Sequence, residues 1–440
     1  MQSFLDRESR QYREHRPRSA QAASQPSGFY GGTPLHWMRD WPMPFPLIVE
    51  RARDASITDI DGNTLADFCL GDTGAMFGHS PPPVVAAITR QLANGMTHLL
   101  TTADAAQVGA LLRERFGLPH WQIATTASDA NRFALRVARA VTGRRKVLVM
   151  NGCYHGAVDE SYVMLEHGKT IVRPGVIGQA VDLTQTGKVV EFNDPSALEA
   201  ALAPRDVAVV MMEPALTNCS MVLPEPGYLA QVRRVTRDTG TLLLIDETHT
   251  ISAGPRGYGG LHSLDPDIFV LGKPIAGGLP ASVWGFTEAI AAQWAHIEAT
   301  KPPGHSGLGT TLSANALQLA AMRAVLTEIM TEAAYAHMEM LAARLAAGFD
   351  NVIRARRKPW HVVRVGARVE FGFAPQPFRD GSEAYAAHDA PLENAIHLGL
   401  VNRGSLITPF HNMMLVCPRT SPAQVEALIH GFDDVLGHLP

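Results

Sequence analysis

Apolar residues in the middle of the chain form short, nearly continuous runs with no polar face. Four such runs lie at residues 146–150, 207–212, 241–245 and 268–271. Strands of this kind are typical of a parallel sheet that is covered on both faces. The first three runs are separated by helix-like stretches, so the pattern predicts an α/β fold built from strand–helix–strand units.

Helical periodicity occupies much of the remaining chain. The predicted helices lie at residues 84–93, 105–116, 132–140 and 313–347, the last closed by Gly348, and near the C-terminus at 392–398 and 422–436. Short strands are predicted within 362–373. This change of pattern after the long helix indicates a second, smaller α/β domain.

The N-terminal region has a different texture. Residues 1 to about 30 favour a solvated helix followed by a loop, and residues 47–68 favour a hairpin that turns at 61–63. Between them, the prolines of residues 33–46 exclude a helix interior. The aromatic side chains of this segment either line a substrate pocket or pack under the N-terminal arm, and packing is the preferred interpretation.

Composition excludes several classes of protein. A chain of 440 residues with 46% hydrophobic and 18% charged residues indicates two or more globular domains. The net charge of -4 argues against a nucleic-acid or anionic-membrane partner. The four cysteines form no CxxC pair, and neither a signal peptide nor a run of 18 apolar residues occurs. We therefore expect a cytoplasmic protein without a membrane span or a bound metal.

Charged residues follow three of the predicted strands. Glu213 comes directly after the strand at 207–212, and Asp246 comes directly after the strand at 241–245. Lys273 follows the strand at 268–271. Ligands of open α/β sheets bind at the carboxyl ends of the strands, where a partly desolvated lysine can act as a nucleophile. A surface lysine and two helix-capping carboxylates are the alternative. In combination, these residues favour a pyridoxal 5'-phosphate (PLP) site, because that cofactor needs an amine and a carboxylate partner for its ring nitrogen.

The segment 125–131 provides a place for a phosphate group. Its hydroxyl side chains precede the helix predicted at 132–140, and free N–H groups at a helix start attract anions. An ordinary N-cap is the alternative. After the strand at 146–150, Tyr154 could stack on an aromatic ring.

Together these motifs resemble the class III, fold-type I PLP-dependent aminotransferases, in the branch of glutamate-1-semialdehyde aminomutase and β-amino acid transaminases. The resemblance runs from about Ile57 to the C-terminus and rests on motifs that occur in the order of the family. They are Asp61-Gly62-Asn63 with Asp67-Phe68 and Gly78-His79, then Thr126-Ala127-Ser128-Asp129-Ala130-Asn131, Gly152-Cys153-Tyr154-His155-Gly156, Glu213-Pro214, Asp246-Glu247, Leu271-Gly272-Lys273 and Thr310-Thr311-Leu312-Ser313-Ala314-Asn315.

The resemblance implies a fold-type I transferase. It would have a large domain with a mostly parallel seven-stranded sheet and a small α/β domain built from both termini. The expected boundaries are 1–75 for the N-terminal arm and part of the small domain, 76–320 for the large PLP-binding domain, and 321–440 for the C-terminal small domain. A homodimer with active sites at the subunit interface is expected.

The resemblance also implies the roles of individual residues. Lys273 would be the Schiff-base lysine and general base, Asp246 would pair with the ring nitrogen, and Thr311 would reach the phosphate in the neighbouring subunit. The further residues expected to bind the cofactor are Thr126, Ala127, Ser128, Tyr154, His155, Glu213, Asn218 and His249.

Several positions depart from the family pattern. Ala127 replaces a glycine and Thr126 a serine in the phosphate loop, while Thr248 replaces a valine that packs on the cofactor ring. His249 follows at a position where the family varies. We expect these changes to keep phosphate binding and to alter the tuning of the site.

The substrate residues are less clearly marked. The candidates are Trp37, Arg39 and His411, and Arg403 and Arg419 lie close to the predicted substrate loop at 408–413. None of the arginines matches the carboxylate anchor of β-amino acid transaminases, so the anchor stays open.

Other catalytic motifs are not complete. The stretch 304–308 fails the G-x-S-x-G pattern at its last position, Pro274 stands where a P-loop needs Ser or Thr, and no H-E-x-x-H motif occurs. We predict transamination of an amine, amino acid or β-amino acid with a keto acid, aldehyde or ketone. An aminomutase, a racemase or an ammonia lyase on the same scaffold is the alternative. Transamination is preferred because the two tryptophans and two methionines of 33–46, with Phe410, His411 and Met413, suggest a roomy, largely apolar pocket.

Overall fold

The protein is described by a computed structural model over residues 1–409 and 411–439, and within these ranges the chain divides into two units. The large unit holds Pro82–Glu332 and Phe378–Ala386. The small unit holds Met1–Pro81, Ala333–Pro377 and the residues from Ala387 onward. Each unit combines helices with sheets of its own, and each is described separately below.

The elements of the described residues are numbered in chain order. The strands are β1 (Val49–Arg53), β2 (Ser56–Asp59), β3 (Thr64–Asp67), β4 (His120–Ala124), β5 (Lys146–Met150), β6 (Val163–Glu166), β7 (Lys169–Val172), β8 (Gly187–Val190), β9 (Val207–Met212), β10 (Leu242–Asp246), β11 (Ile268–Leu271), β12 (Ser282–Phe286), β13 (His361–Val365), β14 (Arg368–Gly372), β15 (Ser405–Leu406) and β16 (Met413–Leu415). The α-helices are α1 (Gln2–His15), α2 (Pro17–Ala23), α3 (Pro82–Leu92), α4 (Ala103–Phe116), α5 (Ala127–Thr142), α6 (Pro195–Leu202), α7 (Tyr228–Thr239), α8 (Gly257–Leu261), α9 (Glu288–Thr300), α10 (Ala316–Ala324), α11 (Glu332–Ala355), α12 (Gly381–Ala386), α13 (Ala390–Asn402) and α14 (Pro422–His438). Among them, none combines the length and the apolar character that a membrane crossing requires.

The large unit, all of whose residues are described, is built on a seven-stranded sheet. The strands lie in the order β4-β12-β11-β10-β9-β5-β8. Neighbours from β11 to β8 are parallel, while β12 runs antiparallel to both β11 and β4. Every residue of β9 and of β11 is buried, as expected for strands covered on both faces. The predicted fold, a mostly parallel seven-stranded sheet with a second α/β unit formed from both ends of the chain, is confirmed.

The register of this sheet brings the predicted polar residues to one edge. Asp246, the last residue of β10, lies opposite Val270 of β11, and the N–H of Glu247 donates to the carbonyl of Val270 at 2.8 Å. Because the strands are parallel, their carboxyl ends meet at the same edge of the sheet. The loops that follow β4, β5, β9, β10 and β11 therefore converge.

The small unit contains the predicted hairpin. Strands β2 and β3 pair antiparallel around the turn at 61–63, and the carboxylate of Asp59 accepts from the backbone N–H groups of Asp61 and Asn63. Strand β15 extends this sheet by parallel pairing with β3, while β13, β14 and β16 form an antiparallel sheet. The predicted N-terminal helix is present, but it is not solvated on all sides, because α1 buries Phe4 and Tyr12 on one face.

The long helix predicted over 313–347 is wrong in two respects. Helix α10 ends at Ala324, a π-helical turn follows over Val325–Ile329, and α11 starts at Glu332. Moreover, Gly348 does not end α11, which continues to Ala355. A Cβ at Gly348 would lie 2.3 Å from Cδ1 of Ile429. Gly348 thus serves the close approach of α11 and α14 within the small unit rather than a helix stop.

The segment 33–46 divides into packed and exposed parts. Trp41, Met43 and Phe45 pack against a core that includes Tyr12, whose hydroxyl donates to the carbonyl of Phe45 at 3.2 Å. The preferred packing interpretation is confirmed for these three side chains. Trp37, in contrast, is 38% exposed.

Candidate active site

Lys273 starts a tight turn at the carboxyl end of β11. Its backbone has φ of +46°, in the left-handed region that a residue with a side chain rarely adopts. Such a conformation persists when the surrounding structure enforces it, and it occurs often at functional sites. The side chain is half-buried, and its Nζ lies 2.8 Å from Nε2 of His249.

Gly272 fixes this turn from two sides. A Cβ at this position would lie 2.7 Å from the Cβ of Ala127, so the glycine allows the lysine turn to touch the start of α5. The N–H of Gly272 donates to Oγ1 of Thr248 at 3.1 Å. The lysine turn is therefore held both by the predicted phosphate loop and by the turn after β10.

Asp246 lies at the end of β10 as a buried carboxylate with several donors. Its Oδ2 lies 3.0 Å from Nδ1 of His155 and accepts from Nδ2 of Asn131 at 3.0 Å, while its Oδ1 accepts from the N–H of Thr248. Burial disfavours the charged form, but the hydrogen bond and positive charge of His155 outweigh it and hold the pKa of Asp246 at about 2. The pKa of His155 is raised to about 10, because its bond to Asp246 outweighs the cost of burial. The site therefore holds a charged carboxylate in the sheet edge at neutral pH.

Glu213 occupies the next strand end but differs in charge state. It is buried, and its Oε2 accepts from the hydroxyl of Thr217 at 2.5 Å. Burial raises the pKa of Glu213 to about 7, although the positive charge of His155 opposes the shift. Asp246 is thus the better partner for a cationic ring nitrogen, because it stays ionised where Glu213 is partly protonated.

The start of α5 supplies donors for an anion. Thr126 is the N-cap: its Oγ1 accepts from the N–H of Asp129 at 3.1 Å and donates to the carboxylate of Asp129. The capping interpretation therefore describes the Thr126 side chain. Oγ of Ser128 accepts from the N–H of Ala157 at 2.9 Å, which keeps its own O–H as a donor. With the N–H groups of the first turn, Ser128 and Ala127 fit a phosphate at the helix N-terminus.

The loop after β5 closes against this helix start. Gly156 has φ of +80°, and a Cβ there would lie 2.1 Å from Oγ of Ser128, so only glycine permits the contact. Cys153 and His155 are buried, while Tyr154 between them is half-buried. Asn131, to which sequence reasoning gave no role, donates to the carbonyl of His155 at 3.1 Å as well as to Asp246. Asn131 is the last residue of the phosphate-loop motif at 126–131. Its place in that motif was the sequence signal that could have identified it as a residue of the site.

Two predicted cofactor residues lie at exposed positions of the large unit. Asn218 is exposed in the loop after β9. Thr311 is exposed in the turn before α10, where it lines a cavity of about 360 Å³ together with Leu99 and Leu100. Their roles toward the cofactor stay predictions.

The predicted substrate residues belong to the small unit. Trp37 and Arg39 lie on a short 3-10 turn, His36–Arg39. His411 is 5% exposed, and its Nδ1 lies 2.6 Å from Oε1 of Glu370. Burial opposes protonation of His411, but the charge of Glu370 raises its pKa. Contact of these three residues with a substrate stays a prediction.

The remaining residues of the predicted substrate region have structural partners. Arg403 pairs with Asp434 at 2.6 Å and with Glu8 at 3.1 Å, and Arg419 pairs with Asp54 at 3.0 Å. Met413 is fully buried in β16, and Phe410 lies outside the described residues. The described residues of this loop are buried and therefore do not supply the open apolar surface that its composition suggested.

The described side chains fit PLP. The cofactor has an anionic phosphate, a ring nitrogen that needs a negative partner, and an aldehyde that reacts with an amine. The start of α5, the ionised Asp246 and the Nζ of Lys273 offer one matching group each. Hydrogen bonds and the close glycine contacts described above join these groups into one site.

Comparisons with known proteins give a consistent result. The family model for class III aminotransferases matches residues 38–430. A glutamate-1-semialdehyde 2,1-aminomutase of Desulfitobacterium hafniense is 30% identical over 402 residues, which span 90% of this chain and 91% of that protein. A crystal structure of a glutamate-1-semialdehyde aminomutase variant from Pseudomonas aeruginosa PAO1 in complex with PMP is 50% identical, with a TM-score of 0.97 and coverage of 100% of this chain and 98% of that one. An omega-transaminase from Sphaerobacter thermophilus is 25% identical, with a TM-score of 0.86 and 96% of each chain covered.

Proposed function

Because the chain belongs to the class III aminotransferases, which are PLP-dependent enzymes, we propose that it transfers the amino group of an amine, amino acid or β-amino acid to a carbonyl acceptor. The observation that carries the proposal is the pairing of a reactive lysine with a charged carboxylate at adjacent strand ends. Lys273 follows β11, and Asp246 is the last residue of β10. The pKa of Asp246, about 2, keeps this carboxylate ionised at neutral pH. Amino-group transfer through PLP needs both groups.

Each of the chain's residues has a defined task in this proposal. Bound PLP supplies an aldehyde that reacts with amines and a ring that accepts electron density from a substrate carbon. Lys273 would hold PLP through its side-chain amine and, once released from it, would move a proton at the reacting carbon of the substrate. Asp246 keeps the ring nitrogen protonated, His155 and Asn131 keep Asp246 oriented, and Ser128 fixes the phosphate.

An aminomutase is the second candidate, and the names of the relatives favour it. Both the Desulfitobacterium and the Pseudomonas proteins are glutamate-1-semialdehyde aminomutases. A mutase uses the same lysine and carboxylate but keeps the intermediate in the site, so these residues do not separate the two activities. Transamination of a bulky amine is preferred on the apolar composition of the segment 33–46, in which Leu35, Trp37 and Met38 remain exposed.

A half-reaction without an acceptor tests the proposal. We expect the PLP-loaded enzyme, mixed with a panel of amines and amino acids, to release about one carbonyl product per site with the best donor, because a transaminase keeps the amino group on the cofactor. The measurement is product by mass spectrometry and pyridoxamine phosphate by absorbance. Glutamate 1-semialdehyde belongs in the panel.

The other outcomes of this experiment are informative. Conversion of glutamate 1-semialdehyde to an isomeric amino acid, with no carbonyl product that has lost its amino group, would establish the aminomutase. Continuous release of ammonia would indicate a lyase, and change of configuration alone a racemase. Each of these results would overturn transamination while leaving the roles of Lys273 and Asp246 in place.

A homodimer with shared active sites is part of the proposal. The large unit exposes apolar side chains on the segment after α3, with Leu99 at 79% and Leu100 at 76% exposure and Met96 also exposed, and Leu312 is exposed in the turn before α10. Exposed apolar groups of this kind mark interaction sites. Thr311 lies beside them and lines the same cavity as Leu99 and Leu100, as expected if it reaches a partner's phosphate.

Mixed dimers test the shared site. Lys273→Ala and Thr311→Arg subunits should each be inactive alone, and mixing them should restore about one quarter of wild-type activity, since half of the dimers are hybrids with one intact site each. The measurement is specific activity after denaturation and joint refolding, with sedimentation to confirm dimers. No recovery in verified hybrids would place Thr311 in its own subunit's site or outside the site.

A cytoplasmic location also belongs to this proposal. Cys69, Cys153 and Cys417 are buried and form no disulfide bond in the described structure. Cysteines outside disulfide bonds are typical of proteins that stay in a reducing compartment.

A further inference from the structure

The turn after β10 makes two side-chain contacts with the lysine turn. Oγ1 of Thr248 accepts from the N–H of Gly272 at 3.1 Å, and Nε2 of His249 lies 2.8 Å from Nζ of Lys273. The N–H of Thr248 in turn donates to Asp246 at 3.1 Å. Thr248 departs from the family motif, and His249 stands at a position where the family varies. Both side chains contact the turn that carries Lys273.

His249 is well placed to exchange a proton with that lysine. Its side chain is 6% exposed, whereas Lys273 is half-buried, so the contact is largely sheltered from water. The Lys273 amine needs a free electron pair to attack a carbonyl, and an ammonium group has none. A neutral imidazole at hydrogen-bond distance can accept the proton that the amine must lose.

Two other buried ionisable groups at this sheet edge, His155 and Glu213, are hydrogen-bonded to side chains other than Lys273. The imidazole of His155 is bonded to Asp246, which raises its pKa to about 10 and keeps it charged at neutral pH. Glu213 is bonded to Thr217. His249 is the group whose ring nitrogen contacts Nζ itself.

We propose that His249 is a proton relay for Lys273, which deepens and rests on the proposed function. When the lysine becomes a nucleophile, an Nζ–H bond breaks and an Nε2–H bond forms on His249. The reverse transfer returns the proton when Nζ next takes it up. The exchange is a proton transfer only, with no change of oxidation state and no further reactant. His249 is thus a positioning residue that acts through Lys273.

Covalent capture of PLP by the apo-protein tests the relay without any substrate. Wild type, His249→Gln and His249→Ala are mixed with PLP, quenched at intervals with borohydride, and scored by mass spectrometry for adduct on Lys273. Glutamine keeps a hydrogen bond to Nζ but cannot take up a proton. We expect both variants to capture PLP at least ~10-fold more slowly than wild type, because general-base assistance typically contributes 10²-fold or more.

Chemical rescue separates proton transfer from shape. Added imidazole should accelerate capture by His249→Ala in a saturable way, because it can occupy the space of the missing ring, and should leave wild type and His249→Gln unchanged. As a control, the quenching of protein fluorescence by PLP measures the initial non-covalent binding. We expect this binding to be similar in wild type and in both variants. If His249→Ala does not fold, the comparison of His249→Gln with wild type decides alone.

Two results would overturn the relay. One is capture by His249→Gln at the wild-type rate, which would reduce His249 to a hydrogen-bonding role. The other is a folded, slow His249→Ala variant that imidazole does not accelerate. Failure of the proposed function would appear differently, as an absence of PLP capture on Lys273 in the wild-type protein.

Discussion

Replacing Lys273 by alanine should abolish covalent attachment of PLP and lower turnover at least ~10³-fold, because one side chain supplies both the nucleophile and the base. The phosphate donors at the start of α5 are untouched by this change, so the variant should still bind PLP without a covalent bond. The measurement is borohydride reduction followed by peptide mapping, together with the rate of the half-reaction.

Two further variants make this result specific. Lys273→Arg keeps a positive charge but cannot form the covalent bond, and should be as inactive as the alanine variant. Lys169→Ala removes an exposed lysine of β7 and should behave as wild type. An adduct on a lysine other than Lys273 would refute the assignment.

Replacing Asp246 by asparagine should lower turnover ~10²-fold or more while leaving a folded protein that still captures PLP on Lys273. The substitution keeps the size of the side chain but removes the charge that holds the ring nitrogen protonated, a loss comparable to that of other preorganised electrostatic partners. It also removes the negative partner that raises the pKa of His155. Turnover measures the loss of catalysis, the absorbance of the bound cofactor measures the protonation of its ring nitrogen, and thermal unfolding of the apo-protein measures stability.

Glu213→Gln is the matched control for Asp246→Asn. Both residues are buried carboxylates at neighbouring strand ends, but burial raises the pKa of Glu213 to about 7 whereas Asp246 is held at about 2. A neutral glutamine therefore resembles Glu213 more closely than asparagine resembles Asp246, and we expect Glu213→Gln to lose less turnover than Asp246→Asn. A larger loss of turnover in Glu213→Gln would make Glu213 the partner of the ring nitrogen.

The sheet and its polar edge could be predicted because they depend on local patterns. Continuous apolar runs identify buried parallel strands, and the residues that follow them must meet at one edge, which placed Glu213, Asp246 and Lys273 together. The boundaries of the long helix could not be predicted in this way. A glycine such as Gly348 ends helices in many sequences, but here it serves contact with Ile429, which is distant in the chain.

The contacts within the site were equally hidden from the sequence. His249 and Lys273 are 24 positions apart, and their meeting depends on the register of β10 and β11 and on the unusual backbone at Lys273. Arg403 lies close in sequence to the predicted substrate loop, yet it pairs with Asp434 and Glu8. Side-chain partners across elements follow from tertiary packing, which sequence patterns do not encode position by position.

The hydrogen bonds around Asp246 also bear on how the chain folds. Its donors are Asn131, 115 positions away, and His155, 91 positions away. Contacts of such sequence separation form late and slowly, since the intervening chain must be ordered first. The carboxylate is therefore held in place by these donors only once the central sheet is complete, and an unfolded or half-formed chain offers PLP no fixed ring partner. Cofactor uptake thus selects the finished fold, and each bound PLP stabilises it by mass action.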